Sequence, residues 1–170
     1  MIKLENDEIL SKKLMATKEE VVKKLIKDKI TITTMESCTG GALISTITDV
    51  EGASNITEGG FVTYSNKQKI RTGVPTEIIE KYGVYSEETA VKMAEVCKAK
   101  MNAVIGIGIT GTLSNVDPNN KDSVQGEVYF CIKYLENTEI VRKIKVPIEC
   151  RHEQKIFIVN SVFEELNKLL

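Results

Sequence analysis

Segments with helical periodicity alternate with short β-branched runs through most of this chain, and two strand-like segments then follow each other directly near its end. That order constrains the fold, because adjacent parallel strands need a crossover connection whereas antiparallel ones accept a tight turn. Val21, Val22, Leu25 and Ile26 predict a first helix, opened by the capping-box pattern Thr17-Lys-Glu-Glu. Ile30 to Met35 reads as a strand, Ser37-Cys-Thr-Gly-Gly as a turn, and Leu43, Ile44 and Ile47 as the apolar face of a second helix. Gly60 to Tyr64 predicts another strand. A helix capped by Ser65 or Asn66 follows, and then one with Pro75 in its first turn that runs to Tyr82. Ser86 caps a longer helix with Ala90, Val91, Met93, Ala94 and Cys97 on its apolar face, leading into a central strand from Ala103 to Ile109. Gly126 to Lys133 and Glu139 to Val146 alternate with period two and form an antiparallel hairpin, and Arg151 to Leu170 closes the chain as a helix. The expectation is an α/β fold: a single three-layer α/β/α domain over residues 1–170, with a mixed, mainly parallel sheet and a late antiparallel hairpin. Ligands of such sheets sit at strand carboxyl ends, which puts the turns at Ser37, Ser65 and Gly111 along one rim.

Composition narrows the function. The 170 residues, 42% hydrophobic and 28% charged, suit one soluble domain rather than a disordered or membrane-spanning chain. Lys and Arg number 23 against 24 Asp and Glu, and aromatic residues make up 5%, so neither backbone neutralisation nor base stacking favours nucleic acid as a partner. The four cysteines are too far apart for a zinc site or a redox dithiol and read as reduced thiols. The start, MIKLENDEILSKK, lacks the apolar stretch of a signal peptide, and no run of about 18 apolar residues occurs, so a cytosolic protein without membrane attachment is expected.

The chemistry-bearing residues gather at the turns. Ser37-Cys38-Thr39-Gly40-Gly41 offers a hydroxyl, two glycines and free amides at a helix start, either an oxyanion site or a capped turn. A Ser-His triad is disfavoured, since the single histidine, His152, belongs to the solvated first turn of the last helix. A partly buried lysine is the alternative base, and Lys69, either that base or an exposed helix-start lysine, lies about one strand-helix-strand unit downstream, with Lys67 as its rival. Tyr64 either orients that lysine and relays a proton or is an aromatic strand end in water. Thr110 and Gly111, in Gly106-Ile-Gly-Ile-Thr-Gly-Thr, could wrap a phosphate without the spacing of a P-loop, although glycines in a buried strand also serve close helix packing. Residues 114–123 read as a mobile surface loop whose two aspartates could border a substrate mouth, with no metal site. Arg151, at a helix start, suits a phosphate or carboxylate, or plain solvent.

Thr34-Met-Glu-Ser-Cys-Thr-Gly-Gly, Gly60-Phe-Val-Thr-Tyr-Ser-Asn-Lys-Gln-Lys and Gly83-Val-Tyr-Ser together resemble the CinA carboxyl-terminal domain, the nicotinamide-nucleotide amidase family, from about residue 10 onward. The resemblance implies hydrolysis of the carboxamide of nicotinamide mononucleotide to nicotinic acid mononucleotide and ammonia in pyridine-nucleotide salvage, with no metal or organic cofactor. It makes Ser37 the nucleophile, Lys69 its base, Tyr64 their neighbour and Arg151 a substrate-site arginine. Amides near Thr39, Gly40 and Gly41 would stabilise an oxyanion, while Arg151 and the Thr110-Gly111 turn would hold the ribose phosphate. It also implies a homodimer, in the stand-alone form of a domain that relatives carry behind a larger one. The chain departs from the family at Gly108-Ile-Thr-Gly-Thr-Leu-Ser-Asn, where many relatives have Gly-Ile-Ala-Gly-Pro followed by glycines, and at Ile107, where a small hydroxyl residue is common. Two other readings therefore stand beside it: a non-catalytic nucleotide-binding module, and an amidase for another small carboxamide.

Overall fold

The computed structural model describes residues 17–121, 123–147 and 149–170. The described part of the first helix, α1, covers 17–28, and Thr17, read from the sequence as its cap, is itself helical. Strand β1 (Ile32–Glu36) leads into α2 (Ala42–Thr48), and β2 (Phe61–Val62) into α3 (Asn66–Thr72) and α4 (Thr76–Tyr82). Helix α5 (Glu87–Lys100) precedes β3 (Ile105–Gly111), the hairpin β4 (Glu127–Tyr134) and β5 (Thr138–Lys145) follows, and α6 (Arg151–Leu169) comes last. The caps follow side-chain chemistry: Ser65 Oγ accepts from the Gln68 N–H at 3.1 Å and Ser86 Oγ from the Thr89 N–H at 3.2 Å. Pro75 stands just outside α4 as its N-cap residue rather than in its first turn.

The five strands form one sheet in the order β2-β1-β3-β4-β5. β1 pairs in parallel with both β2 and β3, and the pairings β3 to β4 and β4 to β5 are antiparallel. β2, expected from Gly60 to Tyr64, is a two-residue edge strand, because pairing stops where the chain turns into the α3 cap.

Strand β3 shows how the layers divide. Its isoleucines, Ile105, Ile107 and Ile109, point into a core shared with α1, α2 and α6, including Leu25, Leu43, Ile158 and Phe163. Each such side chain contributes about 1.5–3 kcal/mol on burial. Its alternate residues, Gly106 and Gly108, face α5, where a Cβ on Gly108 would stand 2.2 Å from the Ala90 carbonyl oxygen. Their lack of side chains lets α5 lie directly on the centre of the sheet.

This wiring sets the site. The chain leaves β1 for the edge strand β2, then crosses back over β1 to β3, so consecutive connections diverge between β1 and β3. β5, antiparallel to β4, runs in the same sense as β3 and delivers the start of α6 to the same rim.

Candidate active site

Ser37 follows β1 directly, and its N–H donates to the Ile109 carbonyl at 3.0 Å, which locks the turn to β3. Gly40 and Gly41, at φ of 61° and 95°, swing the chain into α2 through a conformation costly for residues with a side chain. The preceding residue, Glu36, is fully buried and accepts from Thr34 Oγ1 at 3.1 Å and from the N–H groups of Gly41, Leu43 and Ile44 at 3.1, 3.1 and 2.9 Å. A carboxylate thus caps the first turn of α2 from inside the protein, a role the sequence reading did not assign. It also corrects the amide roles: the Gly41 N–H is held by Glu36, and the Gly40 N–H donates to the Ser37 carbonyl at 3.0 Å. Among the described residues, the amides of Cys38 and Thr39 donate to no protein oxygen. The Thr39 side chain is buried, and its Oγ1 has no partner among the described residues.

Lys69 is 1% exposed and stands among the largest fully buried side chains in the protein's described part. Its Nζ donates to Ser37 Oγ at 2.9 Å and to the Thr63 carbonyl at 2.9 Å. Burial pulls its pKa from the ordinary 10.5 down to about 8, against the opposing influence of Cys38 and the Asp117 carboxylate. The Lys67 side chain is exposed on the cleft wall, so of the two lysines only Lys69 meets Ser37. Burial pushes the thiol of Cys38, next to Ser37, up to about 12. Cys38, Cys97, Cys131 and Cys150 are all unbridged.

Above this pair lies a cleft of about 550 Å³ bordered by Ser37, Cys38, Tyr64, Lys67, Asp117 and Arg151 among others. Ser65 and Gly111 border it as well, so the three rim turns do converge. Tyr64 is 64% exposed, and its hydroxyl accepts from the Arg151 guanidinium at 3.1 Å. The tyrosine is thus engaged with the arginine, while the backbone of Thr63 holds the lysine. Arg151 is the first residue of α6, and His152 beside it is exposed. Thr110 needs a correction: it is fully buried and donates through Oγ1 to the Val84 carbonyl at 2.8 Å, which ties β3 to the entry of α5. The threonine of this turn that borders the cleft is Thr112, paired with Ser123 at 3.0 Å.

The described residues of the 114–123 segment are hydrogen-bonded rather than loose. Asp117 accepts from the Tyr85 hydroxyl at 2.7 Å, from the Asn119 N–H at 2.9 Å and from Asn120 Nδ2 at 2.5 Å. Asn66 Nδ2 at the start of α3 donates to Asn120 Oδ1 at 2.7 Å, which closes the loop over the cleft. Asp-Pro-Asn-Asn carries turn chemistry, but nothing in it announces that its donors converge on one carboxylate.

A buried lysine is thus hydrogen-bonded to a serine at the switch point of an α/β sheet. The chain belongs to the CinA C-terminal domain family, which matches residues 14–170. A putative competence-damage inducible protein of Acetivibrio thermocellus is 34% identical over 158 residues, 89% of this chain and 38% of that protein. One from Clostridioides difficile is 38% identical over 140 residues, 82% of this chain and 33% of that protein. The chain thus matches only about a third of the length of these relatives. The crystal structure of the competence/damage inducible protein CihA from Agrobacterium tumefaciens superposes with a TM-score of 0.83 at 25% identity, over 92% of this chain and 94% of that one. A CinA superfamily protein from Escherichia coli gives 0.81 at 25% identity, over 92% and 90%. Among the described residues, no helix is long and apolar enough to cross a membrane.

Proposed function

We propose that the chain is a serine amidohydrolase that converts nicotinamide mononucleotide to nicotinic acid mononucleotide and ammonia. The observation that carries this reading is the 2.9 Å contact between the buried Lys69 ammonium and Ser37 Oγ. Lysine burial is costly, and a lysine held against a hydroxyl with its pKa near 8 is what a general base working near neutral pH requires.

In this reading, neutral Lys69 keeps one N–H on the Thr63 carbonyl and turns its lone pair to the Ser37 hydroxyl. It takes the proton as Oγ attacks the carboxamide carbon. The oxyanion that forms is met by the open amides of Cys38 and Thr39. The tetrahedral intermediate collapses, the C–N bond breaks, and the Lys69 ammonium returns the proton to the leaving nitrogen, which departs as ammonia. Water then gives its proton to Lys69 and its oxygen to the acyl carbon, and Ser37 is restored. Arg151, steadied by the Tyr64 hydroxyl, is placed to meet the substrate phosphate.

The test is ammonia release from nicotinamide mononucleotide by the purified protein beside Ser37→Ala, with folding followed by circular dichroism. Release that vanishes in the folded variant supports the reading. Undiminished release from Ser37→Ala, or none from the parent protein, overturns it.

A further inference from the structure

The charges that border the cleft are not paired with one another. Among the described residues, Asp117 is the one carboxylate on its wall, and Lys67 and Arg151 are cations of the same wall. Arg151 is held by a neutral phenol, and Asp117 by a phenol, a backbone amide and side-chain amides. Both charges are thereby fixed in position by dipoles, and neither is cancelled by an ion pair among the described residues. The Asp117 donors also stabilise its ionised form, first the Asn119 N–H and then the Tyr85 hydroxyl, so the carboxylate keeps its charge at neutral pH. Asp117 and Ser37 border the same cleft, so a carboxamide set against Ser37 shares that space with the carboxylate.

A cleft whose wall carries a carboxylate at one place and a guanidinium at another complements a dipolar ligand. We propose that Asp117 is a specificity-determining residue that selects carboxamides carried on a cationic aromatic ring, while Arg151 meets the anionic end of the same molecule. This rests on the amidohydrolase reading for its chemistry, but the selection is a binding property and is measurable without turnover.

The experiment compares nicotinamide mononucleotide with its benzamide isostere, in which a carbon replaces the ring nitrogen and removes the positive charge. Binding is measured by calorimetry on the Ser37→Ala protein, and kcat/KM on the parent protein. Each is repeated with Asp117→Asn and with Asp117→Glu. The expected result is a preference for the cationic ring of about tenfold or more, which falls to within about threefold of unity in Asp117→Asn and persists in Asp117→Glu. The parent protein's preference should also shrink as salt is raised from about 0.05 to 0.5 M, a readout that survives if Asp117→Asn does not fold. Equal affinity for the two ligands, no binding of either, or an Asp117→Asn loss that falls on both ligands alike overturns the proposal. Preferential binding without ammonia release would overturn the amidohydrolase reading and leave the charge selection standing.

Discussion

At the scale of single residues, Lys69 carries opposite consequences for stability and reactivity. Its ordinary pKa of 10.5 applies to the unfolded chain and about 8 to the folded one. Below pH 8 both states hold the proton, and the folded protein bears the full burial penalty, on the order of 3 kcal/mol. Between pH 8 and 10.5 the folded state releases its proton first, so stability rises with pH, and above 10.5 the penalty is gone. Lys69→Met should therefore raise the denaturant midpoint at pH 7, by about 1–3 kcal/mol in unfolding free energy, while abolishing turnover. In the parent protein kcat/KM should climb about tenfold per pH unit up to pH 8 and then level off, because only the neutral amine accepts the Ser37 proton. A flat profile from pH 6 to 9 would move the base elsewhere. Thr110 makes the converse case, since its hydroxyl serves the Val84 carbonyl and not the cleft. Thr110→Val should cost about 1–3 kcal/mol of stability by orphaning that carbonyl, with the KM for nucleotide unchanged, as thermal melts and steady-state kinetics would show.

Elements place these residues, and the contact between β3 and α5 is the most exacting. Gly108 admits the backbone of α5 so closely that a methyl group there would meet the Ala90 carbonyl and also the Ala94 nitrogen, at 2.6 Å. Gly108→Ala should lower stability by about 1–3 kcal/mol in a urea titration, and because α5 begins just beyond Tyr85 and Val84, activity should fall with it. A neutral result would mean that α5 can slide on the sheet. The opposite face of β3 is ordinary apolar packing, where conservative exchange at Ile107 is tolerated far better. Glu36 joins elements in a different way: placed on the last residue of β1, it holds the first turn of α2 and so fixes the five residues between them, Ser37 among these.

Over the whole molecule, the cleft is assembled from segments distant in sequence, with Arg151 and Tyr64 87 positions apart. Arg151→Ala should raise the KM for nicotinamide mononucleotide about tenfold or more, with far less effect on the unphosphorylated riboside, if the guanidinium meets the phosphate. An equal effect on both would assign it to the loop geometry instead. What was legible in the sequence is local in origin. Strand and helix periods, the Ser65 and Ser86 caps and the β4-β5 hairpin depend on neighbours a few positions away, so the element order and the layered class followed from them. The motif around Ser37 and Lys69 was legible for the same reason, each half being a turn with its own signature. Tertiary structure decided the rest. It sent the Thr110 hydroxyl to Val84 and the Gly41 amide to Glu36, and it gathered donors of Tyr85, Asn119 and Asn120 on Asp117. It also chose Lys69 over Lys67, since which lysine is buried depends on how α3 rotates against β1, and side-chain direction across such contacts is set by packing rather than by any local pattern.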